Sequence, residues 1–251
     1  MRIFSISVFL TAMFASASAS AQSEQAMRAC ENGDAVVCSR MYFGNCGNEN
    51  PRVSIPACTR QLGQLGQQDP RASTPNLRLV RALRYAMRGN AYLKEGDLES
   101  ALSDFEQAVR SHNDLFWAHE RRARAYFVFG DYEAALAAFD SAAELNPNDA
   151  SVLANRALLL AAAPDESLRN TTRSLADARR ANELVPGQPA YIDALAVAYA
   201  SNGDFGRAAE EQQRAIDLLP TEYPGLIDDY RSRLSLYQQD MPFLIHPRVE
   251  P

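Results

Sequence analysis

The chain has 251 residues, 47% of them hydrophobic and 22% charged, with a net charge of −6. That balance excludes a disordered tail, which has too little apolar surface to offset chain entropy. It also excludes a general affinity for nucleic acid or anionic membrane, both of which call for a basic surface.

Met1-Arg2 is a short positive start. Ile3 to Phe14 is mostly apolar, broken by Ser5, Ser7 and Thr11, and an Ala/Ser run ends in Ala19-Ser20-Ala21 before Gln22. This order predicts a signal peptide over residues 1–21, cleaved after about Ala21, and delivery to the periplasm or outside the cell. The apolar run falls short of the roughly 20 residues needed to span a bilayer. No later segment is apolar enough to do so.

Cys30, Cys38, Cys46 and Cys58 follow within one short region, and no cysteine occurs after them. An even, clustered set in an exported chain predicts two disulfides. Zinc is disfavoured, since structural zinc sites use close Cys-x-x-Cys pairs. The expected unit is a Cys-rich helical cap over residues 22–70, ending in a polar linker. Thr74-Pro75 then starts a helix, with threonine as N-cap and proline at the first position.

A 34-residue period comes next. Arg88-Gly-Asn-Ala-Tyr-Leu-Lys-Glu-Gly-Asp97, followed by Ala101, Phe105 and Ala108, recurs as Arg122-Ala-Arg-Ala-Tyr-Phe-Val-Phe-Gly-Asp131, followed by Ala135, Phe139 and Ala142. A later copy runs Leu195-Ala-Val-Ala-Tyr-Ala-Ser-Asn-Gly-Asp204, then Ala208, Gln212 and Ala215. Each first half has helical apolar spacing. Gly-Asp closes that helix and caps the next, and Pro147 and Pro220 stop the second helix.

These motifs resemble the tetratricopeptide repeat (TPR) over about residues 82–220. The resemblance implies an all-α fold: a right-handed superhelix of antiparallel helix pairs, an α-solenoid. Four repeats are expected, at about 82–115, 116–149, 150–188 and 189–222, within 71–220. The third is stretched, with its extra length near Ala163 to Thr172. A C-terminal capping helix over 223–240, with Leu226, Tyr230, Leu234 and Tyr237 on its apolar face, and a loosely held tail over 241–251 complete the chain.

Residues 29–42 resemble the cysteine-rich form of Sel1-like repeats, and that resemblance pairs Cys30 with Cys38. On that reading Cys46 and Cys58 are expected to form the second pair. Ile55-Pro-Ala-Cys-Thr59 and the segment Arg233 to Phe243 are similar to parts of exported proteobacterial TPR proteins.

Chemistry is sparse. The histidines are His112, His119 and His246, and no metal-ligand spacing, phosphate loop or nucleophile motif is present. No enzyme activity, cofactor or metal is expected. The TPR resemblance instead implies a groove, lined by the first helix of each repeat, that binds a protein or peptide. Asn90, Trp117, Glu120, Arg121, Arg124, Phe127 and Asn155 are the expected groove residues, and Ser151, Ala154, Leu158, Ala190, Asp193 and Val197 fall on the same face. Ala86 stands where a lysine is needed for a carboxylate clamp. Trp117 reads equally well as an anchor or as packing between repeats.

Charge is uneven. Arg78, Arg81, Arg84 and Arg88 share one side of a helix, whereas residues 189–240 hold nine acidic and four basic residues. The leading expectation is a periplasmic TPR adaptor. The alternatives are a self-assembling envelope component joined through opposite-charge ends, with weak self-association, and an envelope enzyme with an unrecognised site.

Overall fold

The computed structural model describes residue 46 and residues 50–67, 75–220 and 222–245. The signal peptide, the Cys30–Cys38 pair, the Sel1-like segment and His246 lie outside the described residues. Among the described residues all regular structure is helical, and no helix is long and apolar enough to cross a membrane. Two compact units divide them, one ending at Phe129 and one starting at Gly130. The division falls between the two helices read as the second repeat.

The first unit holds α1 (Pro51–Gln67), α2 (Pro75–Glu95), α3 (Leu98–Ser111) and α4 (Phe116–Phe129). The second holds α5 (Tyr132–Leu145), α6 (Ala150–Ala162), α7 (Thr171–Leu184), α8 (Pro189–Ser201), α9 (Phe205–Asp217) and α10 (Pro224–Tyr237). A short 3-10 turn, Glu166–Leu168, lies within the insertion.

Local chemistry sets these boundaries. Gly96, Gly130 and Gly203 adopt φ of 81°, 94° and 79°, the left-handed geometry that ends a helix at little cost for glycine. The aspartate after each one accepts from a backbone N–H of the next helix: Asp97 from Ser100, Asp131 from Ala134 and Asp204 from Arg207. Each carboxylate satisfies a donor the helix cannot, and it sits at the positive end of the helix dipole. Asp149 and Asn170 cap α6 and α7 in the same way.

Small residues let paired helices approach closely. At Gly89 an added Cβ would lie 3.0 Å from the Phe105 ring and 3.2 Å from the Ala101 carbonyl. Ala101, Phe105 and Ala108 are buried there with Ala82, Ala86 and Leu93. Phe139 is buried at the equivalent place in the second unit, between Ala135 and Ala142. Burying one such ring contributes about 1.5–3 kcal/mol. In the third repeat Ser174 takes the small-residue place, and its buried hydroxyl donates to the Ala157 carbonyl at 2.8 Å.

The insertion is tied down. Arg169 donates from Nε to the Ala163 carbonyl at 2.6 Å and from Nη2 to the Pro164 carbonyl at 3.1 Å, so it covers the end of α6. The Asn170 N–H donates to the Leu160 carbonyl at 2.8 Å.

In the first unit Cys46 and Cys58 are joined as a disulfide, and both are buried. Cys46 Sγ sits 3.9 Å from Met87 Sδ of α2. Arg88 joins three helices: it donates to Thr59 of α1 at 3.0 Å and twice to the Asp104 carboxylate of α3 at 2.7 Å.

At the other end, residues 241–245 do not trail loosely. Asp240, at φ 55°, reverses the chain after α10. Phe243 then stacks on the Arg233 guanidinium, 5.1 Å to the ring centroid, and the Ile245 N–H donates to the Ala162 carbonyl at 2.8 Å. An unpaired carbonyl at the end of α6 and a cation–aromatic contact hold this segment.

Candidate peptide-binding face

In the first unit, α2 and α4 carry most of the residues expected to line a groove. Four of them form one polar chain. Arg124 Nη1 donates to Glu120 Oε1 at 2.9 Å, one helical turn away. Arg121 Nε lies 3.3 Å from Glu120 Oε2, and Arg121 Nη1 donates to Asn90 Oδ1 at 3.3 Å, linking α4 to α2. Glu120 and Arg124 are buried, whereas Asn90 and Arg121 are half-buried. Burial lowers the Arg121 guanidinium below its usual range, Glu120 opposes that shift, and Arg124 adds to it.

Trp117 is half-buried and packs on the core cluster that contains Phe105 and Ala118. Its ring thus supports α4 and shows only part of its surface. Phe127 is also half-buried, while Phe129, the last residue of the unit, is 47% exposed. The basic stripe of α2 is interrupted: Arg78 is exposed, Arg84 is buried, and Arg88 is held by Asp104.

Asn155 belongs to α6 in the second unit, where it is half-buried and its Nδ2 lies 3.5 Å from Ser151 Oγ. Asp193, read from sequence as groove-facing, is buried in α8. Its Oδ1 accepts from Arg233 Nε at 2.8 Å and from Gln212 Nε2 at 2.9 Å. Burial pushes the Asp193 carboxyl up, and Arg233 opposes the shift. Gln212 stands where earlier repeats have Phe105 and Phe139, so an internal polar network replaces an aromatic contact. Asp193 is therefore part of the attachment of α10.

Sequence reasoning missed a second feature, on the second helices. In the second unit α5 and α7 both pack on α6, leaving a cavity of about 630 Å³ between them. Arg156 of α6 forms its floor, donating twice to Asp177 at 2.7 and 2.9 Å and once to Asp140 at 3.0 Å. Arg173 and Arg180 come from the α7 wall, and Asp140 and Glu144 from the α5 wall. One signal was available: Arg173 and Arg180 recur 34 residues later as Arg207 and Arg214. Among the described residues no cluster of acidic, histidine or cysteine side chains is arranged to hold a metal ion.

Residues 86–150 and 120–189 match the family model of the tetratricopeptide repeat. A tetratricopeptide repeat protein from Parabacteroides merdae ATCC 43184 is similar in structure, with a TM-score of 0.59 at 18% identity over 76% of this chain and 68% of that one. TTC0263, a thermophilic TPR protein in Thermus thermophilus, has a TM-score of 0.52 at 18% identity, covering 75% of this chain and 91% of its own. YrrB, a TPR protein with an unusual peptide-binding site, has a TM-score of 0.50 at 20% identity, covering 78% and 99%. At these identities the likeness speaks for the fold alone. No curated protein matches the sequence. The 34-residue period, the Gly-Asp hairpins and the helical pairs of the described residues thus agree with the tetratricopeptide-repeat model that residues 86–189 match.

Proposed function

We propose that this protein is an exported, non-catalytic adaptor that binds a protein or peptide partner on the first helices of its repeats. The observation that carries the reading is the chain Asn90–Arg121–Glu120–Arg124 across α2 and α4, with Trp117 and Phe127 half-exposed on α4. Preorganised polar groups beside partly exposed aromatic rings suit peptide recognition, where aromatic and arginine anchors supply most of the energy. That YrrB, a protein of the same fold, has a peptide-binding site supports the reading. Asn155 of α6 is assigned to the same role in the second unit.

Export to the periplasm rests on the sequence of residues 1–21 and on the clustered cysteines. A Cys46–Cys58 disulfide suits an oxidising compartment. The likeness of the N-terminal segment to Sel1-like repeats and to exported proteobacterial proteins, with its Cys30–Cys38 pair, stays part of this proposal. Self-assembly through opposite-charge ends has less support, because burial of Arg84 and pairing of Arg88 remove half of the basic stripe.

The test is Arg121→Gln. Glutamine keeps a donor for Asn90 and leaves the buried Arg124–Glu120 pair intact, whereas reversing Arg124 would place two carboxylates together in a buried site. Chemical crosslinking of the otherwise unaltered protein in the native envelope should trap a partner. The variant, at unchanged thermal midpoint, should trap much less. Equal trapping removes this face from the proposal.

A further inference from the structure

The cleft between α5 and α7 has walls of opposite sign. Asp140 and Glu144 stand one turn apart on α5, about 6 Å along the helix axis. Arg173 and Arg180 stand two turns apart on α7, about 10 Å along its axis. At one end the protein closes the gap itself: Arg173 Nη2 donates to Asp140 Oδ1 at 2.6 Å. At the other end the matching contact is not made. Glu144 has no ion-pair partner among the described residues, and Arg180 turns away to Asn148 at 3.0 Å and Glu183 at 3.2 Å. Both Arg180 contacts are solvent-exposed, so they contribute little and give way easily. The floor is fixed, because Arg156 has committed its donors to Asp177 and Asp140.

We propose that this cleft is a second docking site, for an extended peptide segment of a partner protein in which basic and acidic side chains alternate. Successive side chains of an extended chain point to opposite sides. A segment lying along the cleft therefore sends one set toward Glu144 and the other toward Arg180, and a neighbouring Lys-Glu or Arg-Glu pair completes the open contact on both walls at once. A purely acidic segment meets repulsion from Glu144, and a purely basic one meets it from Arg180. This site goes beyond the adaptor reading, since it uses second helices of the other unit and none of the residues on α2 and α4.

The experiment uses the full chain and two synthetic peptides of about eight residues, acetylated and amidated to remove terminal charge. One alternates lysine and glutamate; the other has the same composition with all lysines before all glutamates. Fluorescence anisotropy at low salt should show binding of the alternating peptide. The block isomer should bind at least roughly tenfold more weakly, as should the alternating peptide with Glu144→Lys or with Arg180→Glu. Both substituted side chains are exposed, and a thermal midpoint near that of the wild type checks the fold, with Glu144→Gln as a milder second variant. Absence of binding, equal binding of the two isomers, or affinity unchanged by the substitutions overturns the proposal. Arg121→Gln should leave this binding intact, so failure here and failure of the adaptor face are separate results.

Discussion

Arg156 grips Asp177 through two parallel hydrogen bonds, Nε to Oδ2 at 2.7 Å and Nη2 to Oδ1 at 2.9 Å, joining α6 to α7. Arg88 grips Asp104 in the same way between α2 and α3. Removing one member of such a buried pair strands the other. Asp177→Ala should therefore lower stability by about 3 kcal/mol, even with Asp140 still on Arg156. Arg156→Met with Asp177→Leu, which removes both charges, should cost far less than Asp177→Ala alone. Chemical denaturation of the three proteins gives the comparison, and a double variant as weak as the single one would contradict it.

Gly89 sits at a close approach of α2 and α3. Alanine ordinarily gains about 0.5–1 kcal/mol over glycine inside a helix. Here its methyl would press on the Phe105 ring at 3.0 Å and the Ala101 carbonyl at 3.2 Å, and Phe105 and Ala101 are both buried. Overpacking costs about 1–3 kcal/mol, so Gly89→Ala should be net destabilising and Gly89→Leu more so. A rise in the denaturation midpoint of Gly89→Ala would show that the helices can separate.

His119 provides a pH dependence. Its Nε2 lies 2.8 Å from the Asn113 carbonyl and its Nδ1 3.4 Å from Arg122 Nη2, which fits a neutral ring donating to the former and accepting from the latter. Burial holds its pKa below the usual value of 6.5; the Asn113 hydrogen bond and Asp114 oppose the shift, and Arg122 adds to it. On acidification the unfolded chain takes up this proton first. The stabilisation is thus complete above the unfolded pKa and is lost as the pH falls from there toward the folded value. Thermal midpoints from pH 8 to pH 5 should decline more steeply for the wild type than for His119→Gln. Parallel curves would show that His119 does not titrate differently on folding.

The Cys46–Cys58 bridge closes a short loop around the start of α1. Its removal in Cys46→Ser with Cys58→Ser should cost on the order of 3 kcal/mol, felt in the first unit. Proteolysis should then cut first near α1, while α6 to α9 stay protected. Uniform loss of protection would instead show that the two units unfold together.

The legible and the illegible parts of the site differ in kind. The equivalence of Arg88–Asp104 and Arg156–Asp177 was hidden because the first pair is 16 residues apart and the second 21, the difference being the insertion in the third repeat. Arg122 is in the same register, but the position 16 residues later is Ala138 in place of an acid, so no three-fold pattern signals the pairing. Glu120, Arg121 and Arg124 were legible as neighbours on one helix. Their mutual engagement was not, since a spacing of four residues permits an internal pair as readily as two partner-facing groups. Asp193 and Gln212 depend on Arg233, 40 residues after Asp193.

The sequence by itself determined the helices, their ends and the 34-residue period, because glycine at positive φ, aspartate at an N-cap and proline at a helix start act within a few residues of where they stand. The tertiary structure alone decided which charges face inward. That choice set Asp193 on Arg233, Arg88 on Asp104 and Phe243 on Arg233, and left Glu144 and Arg180 apart across an open cleft. Burial makes an unpaired charge costly, and only the folded chain brings its partner, from another helix, within 3 Å or so.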